Sequence, residues 1–303
     1  MPLKDLLLAL LVIVVWGLNF AVIKLGVTSV PPMLLAALRF VFAAFPALLF
    51  FRAPRVPLRL YLAYGLLISL GQFALLFTAI GVGMPTGLAS LVLQAQAFFT
   101  LVFAALFLGE RWRATQLAGL ALAGAGLALI GSSHGQVMPL LGFALTLGAA
   151  ASWAGGNIVS RADSRHGPIN QLAFVVWSSL VPVLPFLVLS VWFEGLPAMA
   201  EALRGLNTTS VAAVAYLAWA ATLLGYGVWT WLLSRHPANR VSPFSLLVPL
   251  VGLSTGWLVF GETLRPVHFA GGALLMSGLL LNLFGERQIG RASCRERVYM
   301  SVV

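Results

Sequence analysis

Two basic side chains, Lys24 and Arg39, lie in or near long apolar stretches, and they are the residues best placed to do chemistry. A cation held in a low-dielectric interior is costly unless it meets an anion. Each therefore marks a seat for a substrate carboxylate or one half of a gate, although Lys24 also stands where it can snorkel to water. Neutral polar residues accompany them: Asn19, Gln72, Gln94, Gln96 and Asn157, with Ser178, Ser179, Thr222 and Thr230. Such groups either bond one helix to another or face a shared aqueous cavity. Gln94 and Gln96 are two residues apart and so lie on different faces of a helix; one is expected to line the cavity and the other to pack. Trp16, Phe73, Phe77, Trp153, Trp177 and Tyr226 complete the candidate binding set. Alone, each aromatic is equally a packing or interface anchor. Together, an apolar cavity with a few polar groups suits amphipathic molecules such as amino acids.

The acidic residues fall elsewhere. Asp5, Glu110, Asp163, Glu194, Glu201, Glu262, Glu286 and Glu296 sit at the ends of apolar stretches, in loops or in the tail. No carboxylate falls at the midplane, where a proton relay or a sodium site would need one. Glu110 and Glu262 are expected to cap helices or to pair with Arg113 and Arg265. The sequence contains no phosphate-binding Gly-x-x-x-x-Gly-Lys-Ser/Thr loop, no His-Glu-x-x-His and no Gly-x-Ser-x-Gly. His134, His166, His236 and His268 are scattered, and Cys294 is the one cysteine. No catalytic centre, metal or cofactor is expected.

The elements that must position these residues follow from composition. Of 303 residues, 60% are hydrophobic and 9% are charged, against roughly 25% charged in a soluble domain. The mean hydropathy is +0.99. A soluble enzyme of this size could not cover its surface, so the chain is expected to be an all-α polytopic membrane protein. Turn residues divide it into ten apolar spans, near 5–26, 32–51, 60–80, 86–108, 114–131, 139–160, 168–191, 208–233, 242–260 and 266–284. Prolines 31, 32, 85, 139, 168, 237 and 266 stand at or near their starts, where a missing N–H costs least. The net charge of +10 would suggest nucleic acid in a soluble protein. Here Lys4, Arg52, Arg55, Arg59, Arg111, Arg113, Arg161, Arg165, Arg235 and Arg240 gather on the N-terminal side, and only Arg204 and Arg265 face them. That bias predicts cytoplasmic termini and no nucleic-acid partner.

The chain also repeats itself. At an offset of 152, Thr78, Pro85, Ser90, Gly109-Glu110, Arg113 and Gly119 match Thr230, Pro237, Ser242, Gly261-Glu262, Arg265 and Gly271. Earlier the offset is 137, pairing Trp16 with Trp153, Lys24 with Arg161 and Pro31 with Pro168. Five spans per copy is an odd number, so the second copy enters the membrane in the opposite sense. Inverted repeats of this kind are a common plan for secondary transporters, with substrate held near the midplane between the halves. Residues 1–131 form the first repeat, 132–285 the second, and 286–303 a disordered tail appended to the fold. Pro46 in the second span, Pro182 and Pro185 in the seventh and Pro249 in the ninth interrupt helices and are candidate hinges. Small residues such as Gly119, Gly126, Gly271 and Gly278 in spans five and ten suit close packing, either with each other or across a dimer.

Trp16-Gly17-Leu18-Asn19-Phe20 followed by Lys24 resembles the opening of EamA-type domains of the drug/metabolite transporter superfamily. Trp153-Ala154 with Asn157 and Arg161 is similar to its second copy, and Leu108-Gly109-Glu110 and Phe260-Gly261-Glu262 to the motif that closes the fourth helix of each repeat. The fourth helix often carries a central proline in this family; Pro249 fits, whereas the first repeat has Ala97. The resemblance covers about residues 5–285 and is nearest to bacterial exporters of aromatic and other amino acids. It implies a multi-pass protein of the bacterial inner membrane, exporting small metabolites by alternating access through a central cavity, as a monomer or weak homodimer. Cationic drugs and nucleotide sugars are rival cargoes; a cation fits poorly in a cavity without carboxylates, although aromatic faces attract cations. An intramembrane enzyme acting on lipids would need clustered acids or histidines at one membrane face, and the sequence has none.

Overall fold

The computed structural model describes residues 1–133, 138–162, 170–236 and 238–300. His134, Asp163, Arg165, His166, Pro168 and Pro237 lie outside the described residues, as do the side chains of Arg161, Glu286, Cys294 and Glu296.

Ten long helical segments follow one another: α1 Leu3–Val27, α2 Pro32–Leu49, α3 Leu58–Gly81, α4 Thr86–Leu108, α5 Ala114–Gly131, α6 Leu140–Ala162, α7 Gln171–Phe193, α8 Thr208–Arg235, α9 Pro243–Phe260 and α10 Pro266–Met300. Among the described residues, nine are long and apolar enough to cross a membrane. The tenth, α6, has the length but is diluted by Gly148, Ser152, Gly155, Gly156 and Asn157. Prolines punctuate the starts: Pro32 opens α2, Pro57 and Pro85 cap α3 and α4, and Pro266 opens α10. The backbone of α10 continues helically through 286–300, where disorder is expected. That stretch contains no proline, and its Arg, Glu and Ala are good helix formers.

The packing follows the duplication. α1 lies on α8 and α9, and α6 lies correspondingly on α3 and α4. α2 meets α7, α4 meets α9 and α5 meets α10, each helix against its own counterpart. This is the pattern of two inverted five-helix repeats about a pseudo-twofold axis. Large apolar side chains such as Phe50, Phe107, Leu184, Trp192 and Leu258 are exposed on the outside, a surface that lipid covers.

The glycines of α5 and α10 are used within the chain. A Cβ on Gly126 would stand 2.5 Å from the carbonyl oxygen of Gly271, and one on Gly278 would stand 2.5 Å from that of Gly119. Backbone meets backbone there, and these four glycine positions exchange under the 152-residue offset.

Two features of the helices were not legible in the sequence. Gly65–Gln72 in α3 and Tyr216–Leu224 in α8 are π-helical, and the offset carries 65–72 onto 217–224. Such widened turns concentrate at functional positions. They present carbonyls to neighbours in the opposite repeat: the Trp16 indole N–H donates to the Ala221 oxygen at 3.0 Å, and the Ser152 hydroxyl donates to the Leu67 oxygen at 2.7 Å.

Candidate functional site

Arg39 sits near the middle of α2 and is 2% exposed. Its Nε and Nη2 both donate to the Thr222 hydroxyl of α8, at 3.3 and 3.0 Å. Thr222 passes its own proton to the Leu217 oxygen, five residues back in the π turn, at 2.8 Å. The guanidinium carbon lies 4.0 Å from the centre of the Phe73 ring, a cation–π contact. Tyr226 is an electrostatic neighbour. No described carboxylate pairs with Arg39, and its Nη1 has no hydrogen-bond partner. Three neutral atoms of the interior share that condition: Asn19 Oδ1, Gln72 Oε1 and Ser178 Oγ. Beside the cation stands an aromatic wall. Phe73 meets Phe77 and Phe40 edge-on, with centroids 5.8 and 5.6 Å apart, and Phe40 stacks on Phe186 at 5.9 Å.

The other candidate residues are engaged between helices. Asn157 Nδ2 donates to Gln96 Oε1 at 3.1 Å and to the Thr100 hydroxyl at 3.3 Å. Gln94 is buried in a 3₁₀ turn of α4, Leu93–Ala95, and donates to the Ser245 oxygen of α9 at 3.4 Å. Pro249 lacks the N–H that would bond this oxygen in an α-helix; the Val248 N–H closes a tighter 3₁₀ turn onto it instead. So α4 and α9 tighten into 3₁₀ turns at corresponding levels, although only α9 has the proline. Trp16 packs on Tyr226 and Trp229, with centroids 5.4 and 5.3 Å apart. The Trp177 N–H donates to the Phe51 oxygen at 2.9 Å, and Trp153 packs half-buried against the core. α2 breaks after Ala44, ahead of Pro46, and α7 breaks between Ser178 and Val183, with Pro182 capping the second piece and Pro185 inside it.

Carboxylates fasten the end of the bundle where α1 finishes. Gly109 and Gly261 close α4 and α9 in the left-handed conformation, with φ of 69° and 62°, which only glycine adopts cheaply. The turn at Gly261 sends Glu262 across to the start of α4. There it accepts hydrogen bonds from the Thr86 N–H (2.8 Å), the Thr86 hydroxyl (3.0 Å), the Gly87 N–H (3.0 Å) and Lys24 Nζ (2.9 Å). Lys24 also lies 4.2 Å from the centre of the Phe260 ring. Glu262 thus pairs with Lys24, and the helix it caps belongs to the other repeat. Burial raises the Glu262 pKa, but the Gly87 and Thr86 N–H groups and the Lys24 ammonium outweigh it and hold the carboxyl below the ordinary range. Glu194, at the end of α7, likewise receives the Met33 and Leu34 N–H groups at the start of α2, at 2.6 and 3.2 Å. At the opposite end, His236 Nε2 and Asp5 Oδ2 are 2.6 Å apart, tying the end of α8 to the start of α1.

One serine–histidine pair invites an enzymatic reading. Ser133 Oγ lies 2.6 Å from His268 Nε2, while His268 Nδ1 accepts the Arg265 N–H at 3.1 Å. With Nδ1 accepting, a neutral ring carries its proton on Nε2 and donates to Ser133, whose own proton goes to the Ile130 oxygen at 2.7 Å. This is a clamp between the ends of α5 and α10, not a base activating a nucleophile. No group of three or more His, Cys, Asp or Glu capable of holding a metal occurs among the described residues.

The pattern of the EamA-like transporter family matches residues 3–132 and again 140–284, almost the whole chain. The chain belongs to the EamA-like transporter family. Within this EamA-like family it is 52% identical over 287 residues to a protein of Salmonella typhimurium named probable amino-acid metabolite efflux pump, covering 94% of this chain and 96% of the relative. An Escherichia coli K12 protein of the same name is 50% identical over the same coverage. A solved crystal structure of a protein agrees in fold, with a TM-score of 0.60 and 20% identity over 92% of this chain and 96% of that one. This EamA-like protein is thus a multi-pass membrane transporter.

Thr222 and Glu194 stood in the sequence only as a polar residue of a span and an acid at a span end, and Phe40, Phe186 and Ser152 were not singled out. Glu194 carried a signal: it precedes Gly195, which is left-handed at φ 84°, a reversed form of the Gly-Glu turn. The others depend on which helices meet.

Proposed function

We propose that this transporter exports amino acids, aromatic ones included, by alternating access between its two repeats, from the bacterial inner membrane with both termini cytoplasmic. The observation that carries the reading is Arg39, a buried and permanently charged guanidinium whose Nη1 has no protein partner. A substrate carboxylate completes it. The Phe40, Phe73, Phe77 and Phe186 wall offers contact area for an apolar or aromatic side chain, and Gln72 and Asn19 offer oxygens to an ammonium group. The names borne by the two relatives above support the same cargo.

In this reading the interior opens alternately to each side. The Lys24–Glu262 contact holds the outer end shut and the Asp5–His236 contact ties the inner end. The breaks at Pro46, Pro182 and Pro249 let α2, α7 and α9 bend. The carrier acts as one chain, because the glycine faces of α5 and α10 are used inside it. The test is uptake of labelled amino acids into proteoliposomes, with the matching amino-acid amides, which lack the carboxylate, as competitors. Free amino acids are expected to enter and the amides to compete poorly. Transport of none of the panel, or equal competition by the amides, overturns the assignment.

A further inference from the structure

We propose that the carrier is kinetically an exchanger: it releases substrate to one side faster when substrate is present there to load the return step. This rests on the reading of Arg39 as the carboxylate seat. In the protein alone, the Arg39 guanidinium is 2% exposed, shares one neutral hydroxyl between two of its nitrogens and leaves Nη1 without a partner. The described carboxylates lie elsewhere. Glu262 and Glu194 cap α4 and α2, Asp5 holds His236, and Glu201 is exposed on the short helix Leu196–Arg204. Glu110 lies at the far end of α4, beyond Gly109.

Any alternating carrier passes through a form closed at both ends, in which the centre is shut off from bulk water. An empty molecule must carry an uncompensated cation through that form, and an unpaired charge removed from water is strongly disfavoured. Asn19 Oδ1, Gln72 Oε1 and Ser178 Oγ add unpaired polar atoms to the same step. A loaded molecule takes the cation through as an ion pair with the substrate carboxylate, and the ammonium supplies donors to oxygens that otherwise have none. The barrier for the loaded crossing therefore falls below that for the empty one. The return of the empty carrier becomes the slow step of net export, and external substrate bypasses it.

The test is efflux of tritiated phenylalanine, with a panel of other labelled neutral amino acids run alongside. Proteoliposomes are diluted into buffer without amino acid or with an excess of the unlabelled one. Efflux of the transported members is expected to run about tenfold faster into amino acid than into plain buffer, a difference of about 1.4 kcal/mol in barrier. Arg39→Gln brings that ratio close to one, whereas Arg39→Lys, which keeps the charge, keeps it above one. Wild-type efflux at equal rates in the two buffers overturns the exchange inference and leaves the exporter reading standing. No efflux of any amino acid in either buffer overturns both.

Discussion

In the first repeat α3 widens into a π turn, α4 tightens into a 3₁₀ turn at Leu93–Ala95 and α5 lends two glycines to a backbone crossing. In the second repeat α8, α9 and α10 do the same at corresponding positions. The side chains at the centre do not follow. Arg39 corresponds to Val176, Gln72 to Leu224 and Thr222 to Leu70 under the two offsets. Asn157 of the second repeat is bonded to Gln96 and Thr100, while Asn19 of the first leaves its Oδ1 unpaired. Duplication thus supplied a symmetric frame, and a one-sided polar interior was written onto it. Under the alternating access proposed above, a frame similar in both halves gives the two open forms comparable energies. A bound substrate has no twofold symmetry, so its seat does not need any.

That contrast can be broken at several points. The largest effect is expected from Arg39→Gln, which removes the one-sided charge: transport per folded molecule should fall about 100-fold, as for losing one partner of a buried charged contact. Val176→Ala at the corresponding place should leave transport per folded molecule within about twofold, since only apolar packing changes. Proteoliposome uptake of both variants, normalised to protein surviving gel filtration, decides it. Comparable loss from Val176→Ala would mean that the interior is not one-sided.

Next come the frame glycines. Gly126→Val and Gly278→Val each force a side chain against a carbonyl oxygen 2.5 Å from the new Cβ, and each should cost about 1–3 kcal/mol as overpacking. Their melting temperatures in detergent should fall by similar amounts. A large effect at one and none at the other would break the symmetry of the frame.

The closure at the outer end should respond to pH and to Glu262→Gln. The Glu262 carboxyl is held below its ordinary pKa, so its closing contribution is present at neutral pH and lost as pH falls through that depressed value. Glu262→Gln should raise the outward-open population about tenfold, read as faster modification of a cysteine placed at Ser90. Labelling that stays unchanged would show that Lys24 and Glu262 do not hold this end shut. The smallest effect is expected from Gln94→Leu, which removes a bond to the Ser245 oxygen worth about 0.5–1.5 kcal/mol. Its melting temperature should fall slightly while the substrate range stays the same.

How much of this was legible in the sequence depended on whether a signal was local. Helix starts were, because proline declares them, and so was the duplication, because glycine, proline and charged residues recur at fixed offsets. The Gly-Glu turns were visible as motifs, but not the reach of Glu262 to Lys24 and Thr86, residues distant in the chain. Arg39 stood out as a charge among apolar neighbours and Thr222 as a polar residue of its span; their meeting did not show, since a threonine in a helix usually bonds its own backbone. Gln94, Gln96, Asn157 and Trp16 fit a cavity lining by type, and each also makes a hydrogen bond between helices. The π turns gave no local sign, because residues 65–72 and 216–224 read as ordinary apolar helix.

Those turns have a mechanical consequence. α2, α7 and α9 contain prolines, whereas α3 and α8 contain none within Leu58–Gly81 and Thr208–Arg235. A π turn relaxes the regular ladder without removing a donor, so it gives a stiff rod an elastic coupling. α8 has that coupling at Thr222, where it holds the buried guanidinium. Two helices without proline therefore contribute compliance to the bundle, and α8 does so beside the buried Arg39 guanidinium.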